Sequence, residues 1–467
     1  MAIRSIGLDH QPGSVMNTAR VRSQVAFVFA VALATGTIRA QGPCDILQAG
    51  GTPCVAAHST VRALFASYDG PLYQLRRSSD GQLKNVGPLS AGGVADAATQ
   101  DSFCTATTCT ISEIYDQSGK ANHLTKSLGG GQVCMHVDQE AVANALPLML
   151  AGHKAYGIKV IADNNGGCTP PAGGEGTGYR LNKTTGIATG DQAETEYMVT
   201  SGTTASYQNS GCCFDYGNVE TNSEDDGAAT MEAIYFGGGA GWGHGGGSGP
   251  WVMADMENGI FSGSTSANTA NTSVAYPYVT AVVVGRSGGT YALLGGNAQT
   301  GTLTTMYDGP RPSGYTVMKK QGAIVLGTGG DNSDHGMGYF YEGLMTSGAA
   351  STSTMNQVQA NIVAAGYGSS STSILEYPSQ SAPAVALHGD FQDATTRIAY
   401  TLATPSQVRL RVVDLRGREI ARIVDGVVPT GFHQAVWDSH GARAGIYLLS
   451  MEIEGRVVWS GNVLVGR

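Results

Sequence analysis

Apolar positions along this chain come in short runs bounded by glycine clusters, a pattern that predicts strands joined by tight turns. Glu232–Phe236, Trp251–Met256, Tyr278–Val284 and Ala323–Leu326 are runs of this kind. Helical periodicity is scarce; Ser59–Ala66 and Met355–Ala365 are the two predicted helices, the second with Val358, Ile362 and Val363 at helical spacing. Strands at short intervals with turn-rich joints predict an all-β chain built as a two-sheet sandwich rather than an alternating β-α layout. Toward the C-terminus the alternation sharpens. Val408-Arg-Leu-Arg-Val412 alternates apolar and charged residues, Gly417 supplies a turn, and further strands are predicted at Ile420–Val424, Phe432–Trp437, Ile446–Ile453 and Val457–Val465. Residues 387–467 therefore read as a small immunoglobulin-like β-sandwich.

Composition supports two units. Charged residues are 13% of the chain, against roughly 25% in typical soluble domains, and 67 of 467 residues are glycine. So few charges leave little material for solvent-exposed helices. Residues 41–386 contain every cysteine and carry a net charge of −13, whereas 387–467 contain no cysteine and no lysine and carry +1. The first of these ends in a Ser/Pro linker over 369–386 that joins a domain at 41–368 to the tail. The whole chain has a net charge of −9 and no basic run, which excludes a nucleic-acid partner on electrostatic grounds.

Val25–Ala34 is a short apolar stretch preceded by Arg20 and Arg22 and followed by Thr35-Gly-Thr37 and then Ala40. It is too short to span a bilayer and has the form of a secretory signal peptide, with translation expected from Met16 and cleavage near Ala40-Gln41. Residues 1–40 are thus assigned to the signal and an upstream extension, and a secreted or cell-surface location is expected. Export makes disulfides the expected state of the eight cysteines. Spacing pairs Cys44 with Cys54 and Cys104 with Cys109, which leaves Cys134 with Cys168. The neighbours Cys212 and Cys213 either close on each other, in a small strained ring of the kind found at sites, or reach two distant partners. No zinc-ligand spacing is present, so no metal is expected.

The stretch Gly237–Gly249 lacks the Gly-Lys-Ser/Thr ending of a phosphate loop, so no nucleotide cofactor is expected. Its Trp242 is a candidate sugar platform or, equally, a buried structural ring. Two acidic segments follow strand-like runs: Asp255-Met-Glu257-Asn258 and Gly329-Gly330-Asp331-Asn-Ser-Asp334. Carboxylates supplied by separate strands are what a glycosidase requires, one to attack or activate and one to protonate the leaving oxygen. Turn capping, calcium binding or an ordinary strand-end acid are the competing readings of the same residues.

These segments, together with Ala56-Ala-His-Ser-Thr60, Pro71-Leu-Tyr-Gln-Leu75, Ile114-Tyr-Asp-Gln-Ser-Gly119, Cys212-Cys-Phe-Asp-Tyr-Gly217 and Met231-Glu-Ala-Ile-Tyr235, resemble the catalytic domain of glycoside hydrolase family 54, the α-L-arabinofuranosidase B type. The resemblance covers residues 41–368. It implies a concanavalin-like β-sandwich with Glu257 as nucleophile and Asp331 as general acid/base. It further implies a Cys212–Cys213 disulfide against which arabinose packs beside Trp242, and sugar-hydroxyl contacts from Asp225, Asp255, Asn258 and Gly330. The implied activity is retaining, exo-acting removal of arabinofuranosyl groups from arabinoxylan, arabinan or related plant polysaccharides. A relaxed pentosidase that also cleaves β-xylosides and a non-catalytic lectin are the alternatives. In the retaining scheme Glu257 is ionised while Asp331 holds a proton, so the raised pKa is expected on Asp331.

The segment around Cys134 and Cys168 departs from the family pattern. In the tail, Thr395–Leu402, Val413–Glu419, Ala444–Leu448 and Val463–Arg467 resemble the sorting domains of type IX secretion, whose machinery is then an expected partner.

Overall fold

A computed structural model describes residues 41–129, 137–162, 176–203, 211–238, 241–369, 384–390, 395–402, 405–414, 418–429, 431–443 and 445–465. The signal segment, Cys134, Cys168, Gly417 and residues 370–383 of the linker lie outside that set.

Two large antiparallel sheets dominate residues 41–369. One has eight strands, with Val279–Arg286, Glu194–Thr200 and Gly338–Thr346 side by side near its centre. The other has ten, in which Ile260–Phe261, Trp251–Asp255, Glu232–Gly237, Asp215–Val219 and Ala323–Leu326 are consecutive neighbours. Strand alternation sorts their side chains. Val279, Ala281 and Val283 share one core with Ile234, Phe236, Val252, Ala254, Ile324 and Leu326 of the other sheet. The intervening Val282 and Val284 face the opposite way, onto Leu47, Met355, Val358 and Ile362 of the helices Pro43–Ala49 and Thr352–Ala364. With both faces covered, these strands read as continuous apolar runs instead of alternating ones.

The predicted helix at Met355–Ala365 is present, capped by Ser351, whose hydroxyl accepts Thr354 N–H at 3.1 Å. The other predicted helix is corrected. Cys54–Ser59 is a strand paired with Gly338–Thr346, and the chain then bends, with Ser59 Oγ accepting the N–H groups of Val61 and Arg62. What resembled a helical period is a segment buried on several sides. Arg62 is itself interior and forms a double ion pair with Glu342 at 2.5 and 2.6 Å, while Tyr197 and Tyr367 donate to the same carboxylate. A buried charge pair satisfied this fully is stable only as a unit.

The tail contains a three-stranded sheet, Ala384–Asp390, Thr395–Leu402 and Gly431–Asp438, and a four-stranded sheet of Glu419–Val428, Ser406–Asp414, Gly445–Ile453 and Arg456–Val465. Its first strand begins at Ala384, inside the segment read as linker. Val408, Leu410 and Val412 point into a separate core with Ile398, Tyr400, Leu449 and Met451. Trp437 and Tyr447 meet edge-on in that core with ring centres 5.5 Å apart, so neither is a surface sugar platform.

Candidate active site

The outward face of the ten-stranded sheet ends in a group of acids. After the strand Trp251–Asp255 the chain turns through Glu257 and Asn258, both left-handed at φ 62° and 57°. Residues other than glycine adopt this conformation rarely and concentrate it at functional sites. Hydrogen bonds hold the turn: Glu257 N–H donates to Asp255 Oδ1 at 3.1 Å, and Tyr315 O–H donates to the Glu257 carbonyl at 2.9 Å. Asn258 Nδ2 donates to Asp225 Oδ1 at 2.9 Å, tying the turn to an exposed neighbouring loop.

The second acidic segment follows the strand Ala323–Leu326. Gly329 N–H donates to the Ser333 carbonyl at 2.8 Å and Ser333 N–H to Asp331 Oδ1 at 2.9 Å, closing a tight loop. Arg180 fastens it, donating to the Gly330 carbonyl at 2.9 Å and through its other terminal nitrogen to the Glu220 carbonyl. The two glycines reveal how closely the groups converge. A Cβ at Gly329 would lie 3.2 Å from both Asp331 Oδ1 and Cys213 Sγ, and one at Gly330 would lie 2.9 Å from Glu257 Oε2. Asp331, Cys213 and Glu257 therefore gather around one short piece of backbone that cannot carry a side chain.

The structure bonds Cys212 to Cys213, as it does Cys44 to Cys54 and Cys104 to Cys109. Cys213 packs with Tyr235, Trp251, Met253 and Ile260, giving the site an apolar wall. Asp255 Oδ2 touches Cys213 Sγ at 3.3 Å and Cys212 Sγ at 3.7 Å. Because the sulfurs are bonded to each other, neither is a thiolate able to hold a metal beside Asp255. Trp242 lies on the loop before the strand His244–Gly246 with 55% of its surface exposed, which leaves its ring free to stack.

Electrostatically the site is a buried cluster of acids beside one cation. Burial pushes Asp255 and Glu220 up to about 7. Glu257 is pushed up to about 10, by burial first and then by the charges of Glu220, Asp255 and Asp331. Asp215, fully buried and hydrogen-bonded to Asp255, is also raised far above the ordinary carboxyl range. Burial lowers Arg180 to about 10, which still leaves it charged at neutral pH. A large upward shift thus falls on Glu257, the group expected to attack in ionised form, because it is buried and faces several like charges.

Three members of this cluster were missed by the sequence reading. Asp215 precedes a tyrosine in a strand and Glu220 follows a strand end, and Arg180 is one arginine in a short strand; none carries a local signal. Two-residue periodicity from Cys213 would have put Asp215 on the site face. Nothing local to Glu220 or Arg180 marks them, since they enter the site through sheet neighbours distant in sequence.

Comparison with known proteins gives a consistent result. Residues 43–368 match the family described as alpha-L-arabinofuranosidase B, catalytic. The chain is 52% identical over 357 residues to the α-L-arabinofuranosidase B of Emericella nidulans, covering 75% of this chain and 67% of that protein. It is also 52% identical over 351 residues to an arabinofuranosidase/β-xylosidase of Trichoderma koningii, covering 74% and 67%. A relative from Aspergillus terreus is 55% identical over 339 residues, and the match spans 64% of that protein's length and 71% of this chain. Among solved structures, a Glu-to-Gln mutant of a GH54 α-L-arabinofuranosidase soaked with 4-nitrophenyl α-L-arabinofuranoside is 46% identical with a TM-score of 0.65, covering 79% of this chain and 74% of that one. An arabinofuranosidase complexed with arabinofuranosyl-α-1,2-xylobiose is 42% identical with the same TM-score, covering 86% of each chain. Through residues 43–368, which hold both acidic segments and the Cys212–Cys213 wall, this chain belongs to the α-L-arabinofuranosidase B catalytic family.

Proposed function

We propose that this protein is a secreted, retaining α-L-arabinofuranosidase that removes terminal arabinofuranosyl groups from arabinoxylan, arabinan or related polysaccharides. The observation that carries the proposal is the convergence of Glu257, Asp331 and the cysteine wall on Gly329-Gly330. Glu257 Oε attacks the anomeric carbon while Asp331 gives its proton to the leaving glycosidic oxygen. The bond from that carbon to the oxygen breaks and an ester to Glu257 forms. Water then attacks the same carbon and gives a proton to Asp331, which releases arabinose and the Glu257 carboxylate. Asp225, Asp255, Asn258 and Gly330 supply polar contacts for the sugar hydroxyls. The Cys212–Cys213 wall and Trp242 pack its apolar surfaces, which gives the orientation that an exo-acting site needs. Membership of the family and the placement of both acids at one site support the enzyme reading over a lectin.

The test is release of 4-nitrophenol from the aryl α-L-arabinofuranoside beside the aryl β-xyloside, with the anomer of the first-formed sugar followed by NMR. Preferential cleavage of the arabinoside with retained configuration is expected, and an inverted product or no turnover would refute the proposal. The Trichoderma koningii relative, named for both activities, favours measurable xyloside cleavage as a second reading.

The tail, 387–467, is proposed as an export and surface-attachment module addressed to type IX secretion machinery. Its support is the motif resemblance together with a core of its own that takes up Trp437 and Tyr447. Deleting the tail in the native host is expected to abolish export or surface retention while catalytic turnover of soluble substrate persists. Normal export of the truncated protein would overturn this assignment.

A further inference from the structure

Glu220 sits at the end of the strand Asp215–Val219, fully buried, and takes no part in the scheme above. One of its oxygens, Oε1, meets the Thr230 hydroxyl. The other, Oε2, has no conventional donor among the described residues. A Cβ on Gly330 would overlap Glu220 Oε2 and lie 2.9 Å from Glu257 Oε2, so the two carboxyl oxygens crowd the same point. The pair is hydrogen-bonded, and two carboxyl groups can share such a bond only if one of them carries a proton.

We propose that Glu220 is a positioning residue for the reaction, accepting the Glu257 proton across this carboxyl–carboxyl bond so that Glu257 attacks as a carboxylate. The inference rests on the glycosidase reading given above. At rest the pair shares one proton between Glu257 Oε2 and Glu220 Oε2. As positive charge builds at the anomeric carbon, the O–H bond of Glu257 breaks and one forms on Glu220 Oε2. Glu220 then donates back to the ionised nucleophile. When the ester to Glu257 is cleaved, the carboxylate recovers its proton from Glu220, so the site ends each cycle unchanged.

This arrangement reconciles a deeply buried nucleophile with its need for charge. The two groups titrate as a unit, working in the singly protonated form. Other ionisable groups face the pair from every side: Arg180 from the strand Tyr179–Leu181, Asp255 from its strand end, Asp331 from the loop after Leu326, Asp225 from the loop before Gly227 and Asp215 from the same strand as Glu220. Arg180 is the one cation among them, and it is anchored on the Glu220 carbonyl. Gly330 acquires a second role, since any side chain there would separate the two carboxyls.

The experiment compares Glu220→Gln and Glu220→Ala with the wild type on 4-nitrophenyl α-L-arabinofuranoside across pH. Gln keeps the shape of Glu220 but cannot take up the Glu257 proton, and Ala removes the group altogether; in both, kcat is expected to fall about 100-fold with little change in KM, and the acidic limb to shift by about one pH unit. A Gln variant that keeps wild-type kcat, or an acidic limb that stays in place in both variants, would overturn the proposal. If the Ala variant does not fold, Glu220→Gln decides alone by the same two readouts. An inactive wild type would refute the glycosidase reading itself, whereas an active wild type with the overturning variant pattern refutes only the role of Glu220.

Discussion

Glu257→Gln is expected to reduce turnover by about 10⁴-fold or more on every arabinofuranoside, because the proposed covalent intermediate forms on its carboxylate and an amide cannot replace it. Folding should be undisturbed, since the amide fits the same turn and the Tyr315 bond reaches the backbone carbonyl and not the side chain. Asp331→Ala behaves differently. Loss of a general acid costs roughly 10²–10⁴-fold where the leaving oxygen needs a proton, and little where the leaving group is as acidic as 4-nitrophenol. Polysaccharide cleavage should therefore collapse in Asp331→Ala while the first step on the nitrophenyl substrate survives, visible as a burst in stopped-flow absorbance. Equal damage to both substrates would mean that Asp331 is not the acid. Rescue of Asp331→Ala by added azide, but not of Glu257→Gln, would give further support to the division of roles.

A large effect is also expected on stability. Asp255 and Glu220, held near about 7, bind their protons more tightly in the folded protein than in the unfolded chain, where carboxyls titrate near roughly 4. Their contribution is complete below the unfolded value and is lost as pH rises through about 7. For Asp255, 5% exposed, that amounts to about 4 kcal/mol. The catalytic domain should thus be markedly more stable at pH 5 than at pH 8, judged by urea midpoints. Asp215→Asn removes a buried acid whose own pKa is raised well above the ordinary range while leaving an amide able to donate to Asp255, so it should shrink the difference chiefly by raising stability at pH 8. A protein equally stable at both values, or an Asp215→Asn variant with the full loss, would contradict this account of the cluster.

Both acidic segments were legible in the sequence because each is local: Asp255-Met-Glu-Asn258 and Gly329-Gly-Asp-Asn-Ser333 follow apolar strands, and an acid in that setting lacks the charged neighbours of a solvated face. The adjacent cysteines announced themselves in the same way. Local reading failed at Ser59–Ala66, where burial on several sides imitated a helical period, and where pairing of Cys54–Ser59 with Gly338–Thr346 overrode local preference.

Strand content, the two-part division in charge and cysteine, the short disulfide loops and the main acids were thus fixed by residue order alone, since turn chemistry and two-residue alternation act over a few positions. Which strands became neighbours was decided only in three dimensions. That pairing set Asp215 and Glu220 beside Asp255 and Glu257, brought Arg180 under the loop from 329 to 333, and buried the group together. It also raised the pKa of Glu257, because desolvation and like-charge proximity depend on packing depth and on groups far apart in the chain.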